Sequence, residues 1–561
     1  MRSRGSLTGL AVVIAGLLAF KGLTLHVFWD DEANTAIFAR NFLRTETLQA
    51  WDGRNLIAYF GGGELNRDLV NTYMPPLQYW VAAGGMHLLG ESTLGARVPF
   101  VLAGLACIAC LALVSRHLFG EAFPWFLPPL ILALTPAFLL YIRNARYYAL
   151  SALFFVVVLA AWCALEGRRR AAPVIAGLAL GMLGLWLSHY LSAAAAVAGF
   201  AALFCAPLFR GRRHAVALGI ACAVSLGFCT WLLLASNPFL GHVGPVPVKP
   251  KLERIATLLV WHLKGLATFE FVPVALAPVL GLPFVWSRVA ELRPLAWRGL
   301  AVVGLILVSC IVTAVLSPQL VSIPNPVADM RQQVPVIALG ALMSAVALYV
   351  LWRASHLLAL AVAVLLLFTN VLQLGFLSPP QPGFEARGVA CTLCDYVRET
   401  FVDRQTGTEL LLGYLDELPP DTLVFVKPVY MAYPAMFYLP RLRYAQGLPP
   451  RKRLSPGIRS RLPDYVFLGG SRIDVAVMAR PPRKSPPRFR IEPGRSLPQG
   501  IYEKVAVLEG YPLDRSRPEI PWHTFDADAL KGIRSPRFMV YRVTHPEATS
   551  RTDVAGGPPP D

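Results

Sequence analysis

Apolar stretches of membrane-spanning length recur along the first two-thirds of the chain. The first runs from Leu7 to Leu25; others lie at 94–115, 123–141, 147–165, 172–188, 190–209, 215–235, 266–287, 299–317, 333–352 and 356–377. A spanning helix needs ~20 such residues, so the pattern predicts about eleven spans. After Phe376 it changes to short alternating runs set among Pro and Arg. Thr422–Val426, Asp464–Leu468, Lys504–Leu508 and Arg537–Val543 read as strands there, with a helix near Tyr396 to Leu415. The expected fold is an α-helical polytopic membrane protein with outer-face juxtamembrane helices and a small C-terminal α/β soluble domain. Residues 1–377 are the expected transmembrane domain and 378–561 the outer domain, whose tail, Gly556-Gly557-Pro558-Pro559-Pro560, is expected to be disordered.

Between the first two spans lies a long excursion, 27–92. Ala33 to Phe42 reads as an amphipathic helix and Gly61-Gly62-Gly63 as a turn. The apolar segment from Pro76 to Leu89 is too short to span and is expected along the interface, where Tyr79 and Trp80 suit the headgroup level. That choice decides sidedness. With it, Arg116, Arg168 to Arg170, Arg210 to Arg213, Arg288 to Arg298 and Arg353 all join Arg2 and Arg4 on the cytoplasmic side. The first span has no convincing small-residue cleavage site after it, so it reads as a retained signal anchor.

Composition agrees: 561 residues, 55% hydrophobic, 15% charged, with a mean hydropathy of +0.51. The net charge of +18 falls mainly in inter-span clusters and in the last third, so membrane orientation explains it better than nucleic acid. Most of the nine cysteines lie inside apolar runs and behave as small hydrophobes. Cys391-Thr392-Leu393-Cys394 has a usable spacing, but it lacks the further ligands zinc needs and a thioredoxin-like context; a disulfide or two free thiols are the readings left. No internal repeat, Walker loop, GxGxxG or HExxH motif is present.

The candidate chemistry begins at Phe28-Trp29-Asp30-Asp31-Glu32-Ala33-Asn34. Acidic residues at mid-bilayer cost roughly 2.5 to 3.5 kcal/mol each, so Asp30, Asp31 and Glu32 must sit at the boundary, on the outer face. Helix capping accounts for one of them and less well for three. The same face collects Arg143-Asn144-Ala145-Arg146-Tyr147-Tyr148, the Ser188-His189-Tyr190 corner, a long loop from Ser236 to Trp261 with Lys249 and Lys251, and Ser322 to Arg331. Cations there oppose the positive-inside bias and call for an anionic partner. Lipid headgroups serve for Lys249 and Lys251 as well as a bound substrate does. Arg143 and Arg146, one helical turn apart, can bracket a phosphate.

An Asp-Glu-Ala motif after the first span, Pro75-Pro76-Leu77-Gln78-Tyr79-Trp80, Arg97-Val98-Pro99, Arg116-His117-Leu118-Phe119-Gly120, and Thr135-Pro136 leading to Arg143–Leu150 together resemble the GT-C membrane glycosyltransferases. The branch they most resemble holds the bacterial relatives of protein O-mannosyltransferases and of the lipid A aminoarabinose transferase. The resemblance implies an inverting transferase of the bacterial inner membrane. It would pass a hexosyl or pentosyl group from a polyprenyl-phosphate donor to lipid A, a cell-envelope glycan or a protein on the outer face. It implies that Asp31 is the base, that Glu32 orients or assists it, and that Asp30 is an extra carboxylate. Arg143 and Arg146, with Tyr147, would hold the departing phosphate. His189 and Tyr190 match a His-Tyr corner, Pro76 and Tyr79 the outer-face segment, and Arg331 an arginine before a late span, with Gln332 in place of the usual aromatic. The acids offer too few oxygens to hold Mg2+ or Mn2+ alone, so no metal or other cofactor is assigned and divalent-metal dependence stays open. A transporter or flippase is the alternative, but it would place ionisable groups near mid-membrane, and these spans carry almost none.

Overall fold

The structure is a computed structural model that describes residues 2–58, 62–166, 171–206, 209–234, 248–268, 272–316, 331–373, 389–446, 448, 454–463, 473–480, 502–511 and 536–543. Among them the chain forms two compact units. The first contains Met1–His26 and Tyr73–Asp403; the second contains Val27–Thr72 with the described parts of Arg404–Ser516 and Arg534–Asp561. The acidic stretch therefore belongs to the compact unit that holds the sheet.

The first unit is helical. Among the described residues, five helices are long and apolar enough to cross a membrane: Thr93–Phe119, Ala171–Ser188, Arg212–Leu234, Ser287–Leu316 and Arg331–Ala354. Shorter apolar helices include Gly5–Phe20, Tyr148–Ala164, Tyr190–Cys205 and His356–Phe368. Exposed Leu17, Leu180, Leu226, Leu234 and Leu357 stud their outer surfaces, the surface that hydrocarbon rather than water solvates. This is a multi-pass membrane protein.

Two apolar runs differ from the sequence reading. The run at 123–141 is broken at Thr135-Pro136 into helices Leu127–Ala133 and Pro136–Ile142, because Pro136 has no N–H to continue the first helix and suits the first turn of the second. The run at 266–287 contains Pro273, Pro278 and Pro283 and forms a 3-10 stretch, Val274–Gly281, then a single turn, Leu282–Val285. Conversely, the loop expected from Ser236 to Trp261 is in its described part a helix, Val248–Thr268; Pro250 falls in its first turn, where proline costs no hydrogen bond. Residues 236–247 and 322–330 lie outside the described residues, as do the Arg168–Arg170 cluster, the expected strand Asp464–Leu468 and the tail.

Helix Leu77–Leu89 has 13 residues, about 20 Å at 1.5 Å per residue, and falls short of the ~30 Å hydrocarbon core. It folds back on Thr93–Phe119 at very close range. A Cβ on Gly85 would lie 2.2 Å from the Gly95 carbonyl oxygen and 2.4 Å from Pro99 Cγ.

Among its described residues the second unit is built on a five-stranded sheet in the order β2-β1-β3-β5-β4, with β1 Leu423–Lys427, β2 Arg443–Tyr444, β3 Val475–Arg480, β4 Tyr502–Leu508 and β5 Arg537–Val543. β1 pairs in parallel with β2 and β3, while β5 runs antiparallel to β3 and β4. Leu423, Phe425, Ala445, Ile473, Ala476 and Tyr541 form the core on one face. The single helix expected near Tyr396 to Leu415 is two helices, Thr392–Glu399 in the first unit and Gly407–Asp416 in the second. The second starts at Thr406, whose hydroxyl and the Glu409 carboxylate form a reciprocal capping box.

Candidate functional site

The amphipathic helix expected from Ala33 starts earlier, at Asp30, and runs to Thr45. Asp30, Asp31 and Glu32 occupy its first turn, where the positive end of the helix dipole favours carboxylates. Trp29 precedes the helix in extended conformation without capping it by its side chain. Burial separates the acids: Asp30 and Glu32 are 8% and 0% exposed, whereas Asp31 is half-buried. Only Asp31 combines accessibility with the shelter of a packed turn.

The turn is fixed from inside its own unit. The Tyr438 hydroxyl accepts from the Phe28 N–H at 3.0 Å, and the Phe28 ring packs edge-on to Phe437 with centroids 5.0 Å apart. Glu409 accepts from Val27 N–H at 3.4 Å. Between two and three turns further along the same helix, buried Arg40 donates to the Phe437 and Met436 carbonyls at 3.2 and 3.4 Å and lies 3.8 Å from the Asp52 carboxylate. Asn55 reaches the sheet: its amide donates to Leu442 O and accepts from Tyr444 N–H, both at 3.0 Å. None of Arg40, Asn55 or Tyr438 was singled out from sequence. Arg40 alone carries a signal, as a cation on the apolar side of an amphipathic helix.

In the first unit the arginines do not sit one helical turn apart. Arg143 closes helix Pro136–Ile142, and Arg146 lies on the non-helical bend before Tyr148–Ala164. Asn144 starts this bend, its amide donating back to Leu140 O at 2.9 Å. Arg146 is 6% exposed, its guanidinium carbon 5.6 Å from the Tyr147 ring centroid. Tyr147 in turn stacks on His189 at 4.4 Å and 5°. Arg146, Tyr147 and His189, each named from sequence, thus form one column.

His189 stands between helices Ala171–Ser188 and Tyr190–Cys205 and caps the latter, its Nδ1 accepting from Ser192 N–H at 3.3 Å. Burial, and secondarily the Arg146 guanidinium, push its imidazole down to about 3, so it stays neutral and can face a cation. Tyr190 turns elsewhere, towards Trp186 and Phe228. Arg331 opens a 3-10 turn, Arg331–Gln333. Gln332 and Gln333 line a small cleft with Ser192, Ser309 and Thr313, which links Arg331's turn to the His189 corner. Tyr79 is fully buried within its unit, while Trp80 is 41% exposed. Pro76 precedes their helix. Lys249 and Lys251 fall in the first turn of Val248–Thr268. Among the described residues no group of three or more His, Cys, Asp or Glu is placed to hold a metal ion.

No protein-family model matches the sequence, and no curated protein matches it significantly. Solved structures do. ArnT from Cupriavidus metallidurans bound to undecaprenyl phosphate aligns with a TM-score of 0.50 at 16% identity, over 84% of this chain and 92% of that one. The apo oligosaccharyltransferase of Archaeoglobus fulgidus aligns at 0.44 and 12% identity, over 78% and 64%. The arabinofuranosyltransferase AftD from Mycobacteria aligns at 0.44 and 16%, over 96% and 40%. The alignment with ArnT gives this chain the GT-C fold, in agreement with the resemblance read from its motifs.

Proposed function

We propose that this protein is an inverting glycosyltransferase that uses a polyprenyl-phosphate-linked sugar, with Asp31 as base and the Arg143–Arg146 bend as phosphate site. The observation that carries the reading is the difference in burial along the first turn of Asp30–Thr45: Asp31 is accessible while Asp30 and Glu32 are enclosed, on a fold shared with an enzyme solved with undecaprenyl phosphate bound. A base must reach its proton, and a packed turn keeps it oriented.

In this mechanism Asp31 takes the proton of an acceptor hydroxyl as that oxygen attacks the anomeric carbon. The bond from that carbon to the phosphate oxygen breaks, its electron pair leaves with the polyprenyl phosphate, and the configuration inverts. Negative charge grows on the departing oxygen, so guanidiniums fixed beforehand stabilise the transition state more than the ground state. Neutral His189 supports Tyr147 beneath Arg146 without adding a competing cation. Glu32 and Asp30 favour the helix start and orient Asp31. Arg331, Lys249 and Lys251 remain proposed as outer contacts to the donor or acceptor, together with Tyr190 and the Pro76–Tyr79 segment. The sheet unit, carried on the periplasmic face of the bacterial inner membrane in this reading, shapes acceptor access.

Lipid extracts of a deletion strain test the proposal. A polyprenyl-phosphate sugar should accumulate and disappear on complementation, naming the donor. An unchanged lipid-linked sugar pool, with a glycolipid retained on the inner leaflet, would instead favour a flippase.

A further inference from the structure

Arg143 is held from one side. Its Nη1 donates to the Tyr396 hydroxyl at 3.1 Å, its Nη2 donates to Gly22 O, and its guanidinium carbon lies 5.9 Å from the Tyr396 ring centroid. The Tyr396 hydroxyl donates onward to Leu18 O at 2.9 Å. Leu18 O is among the last carbonyls of helix Arg2–Phe20, which have no partner within the helix. Because that hydroxyl's one proton goes to Leu18, a lone pair is left to receive Arg143. Two of the guanidinium's five N–H groups are engaged in this way, and three remain.

The support under this contact is tightly built. Tyr396 is 2% exposed and sits on the eight-residue helix Thr392–Glu399, whose cap, Cys391, is disulfide-bonded to Cys394. Gly22 adopts φ +62°, and a Cβ there would meet Thr400 O at 2.6 Å. The Lys21 ammonium lies 4.3 Å from the Phe401 ring centroid. The segment from Cys391 to Phe401 is thereby clamped on the end of the first helix.

We propose that Tyr396 is a positioning residue for the lipid phosphate: it fixes the plane of the Arg143 guanidinium so that the remaining N–H groups meet the anion as a preset fork. This rests on Arg143 being a phosphate ligand. A mobile guanidinium would still carry the charge but lose its geometry, as lysine does.

The test uses full-length protein in detergent, with undecaprenyl phosphate as the probe. Tyr396→Phe keeps the buried ring and removes the shared hydroxyl. Its Kd should rise about tenfold, and in an Arg143→Lys background the same change should cost little more, because the fork is already gone. Unchanged affinity in folded Y396F, with a lowered Tm, would make Tyr396 a structural tie and overturn the proposal. Unchanged affinity in Arg143→Ala would instead remove the phosphate reading on which it rests. Hydrogen exchange on the wild-type protein gives a second measurement independent of mutant folding. The probe should protect 392–399 together with 141–148, and protection of 141–148 alone would count against the coupling.

Discussion

Arg40→Met should destabilise the sheet unit by about 3–5 kcal/mol, the scale for removing one partner from a buried ion pair. Arg40 is 4% exposed and joins several groups of its own unit, among them the Met436 and Phe437 carbonyls, the Asp52 carboxylate, and the Phe437 ring 5.4 Å from its guanidinium carbon. Methionine keeps the apolar stem but leaves both carbonyls, at the end of helix Tyr433–Tyr438, without their charged donor. Asp52 keeps its bonds from Arg54 and Asn55 N–H at 2.8 and 2.6 Å, which places the loss towards the lower end of that range. For a unit of this size 1 kcal/mol moves Tm by roughly 2–4 °C, so the shift should be about 10 °C. The assay is thermal unfolding of the detergent-solubilised full chain, read by hydrogen exchange in peptides covering 30–45 and 433–438. Lysine can reach only part of this set and should recover less than half. A Tm change under about 2 °C in the methionine variant would refute the assignment of Arg40 as the pin of the acidic helix.

Asn55→Ala, which removes a bond in each direction between the 27–72 segment and the Leu442–Tyr444 stretch, should cost about 1–3 kcal/mol and speed exchange of the Tyr444 amide. Gly85→Leu should prevent the close hairpin of Leu77–Leu89 on Thr93–Phe119, seen as lost expression or protease sensitivity, whereas Gly84→Ala, which meets nothing within 4 Å, should be tolerated. The Arg54 guanidinium, hydrogen-bonded to exposed Asp421, and Arg443 beside it hold that carboxyl below its usual range. Its contribution to stability is thus present above the unfolded carboxylate pKa of about 4 and lost as pH falls through the lower folded value. Asp421→Asn should remove that part of the acid dependence, and salt should shrink it. Arg146→Ala should weaken undecaprenyl phosphate binding by roughly 10- to 150-fold, the scale of one or two charge-assisted bonds, and lysine should restore only part.

The spans and their breaks were unequally legible. Long apolar runs announce helices by composition, so Thr93–Phe119 and Val334–Ala354 were readable directly. A run of the same composition at 266–287 is not one helix, because three prolines remove donors that a hydropathy average does not weigh. The acids were conspicuous because charge is rare in such a chain. Their packing partners were not, since Arg40 pairs with carbonyls almost 400 positions away, and such separations leave no local pattern. β3, Val475–Arg480, has no counterpart among the strands expected from the pattern, its six residues running straight into Pro481-Pro482. Tyr396 falls at the start of the helix expected near Tyr396 to Leu415, and only the fold brings it to Arg143. The arginine spacing suggested a helical bracket, whereas Asn144 turns the chain and places Arg146 on Tyr147 instead.

Transfer by an Asp31→Asn enzyme tests the central claim most directly. The purified variant is given the lipid-linked sugar that accumulates in the deletion strain, together with a membrane extract as acceptor, and both transfer and undecaprenyl phosphate affinity are measured. The amide keeps the shape of the side chain and removes its basicity. Transfer should fall by roughly 10² or more with affinity little changed. Normal transfer in Asp31→Asn, and likewise in Asp30→Asn and Glu32→Gln, would contradict the mechanism.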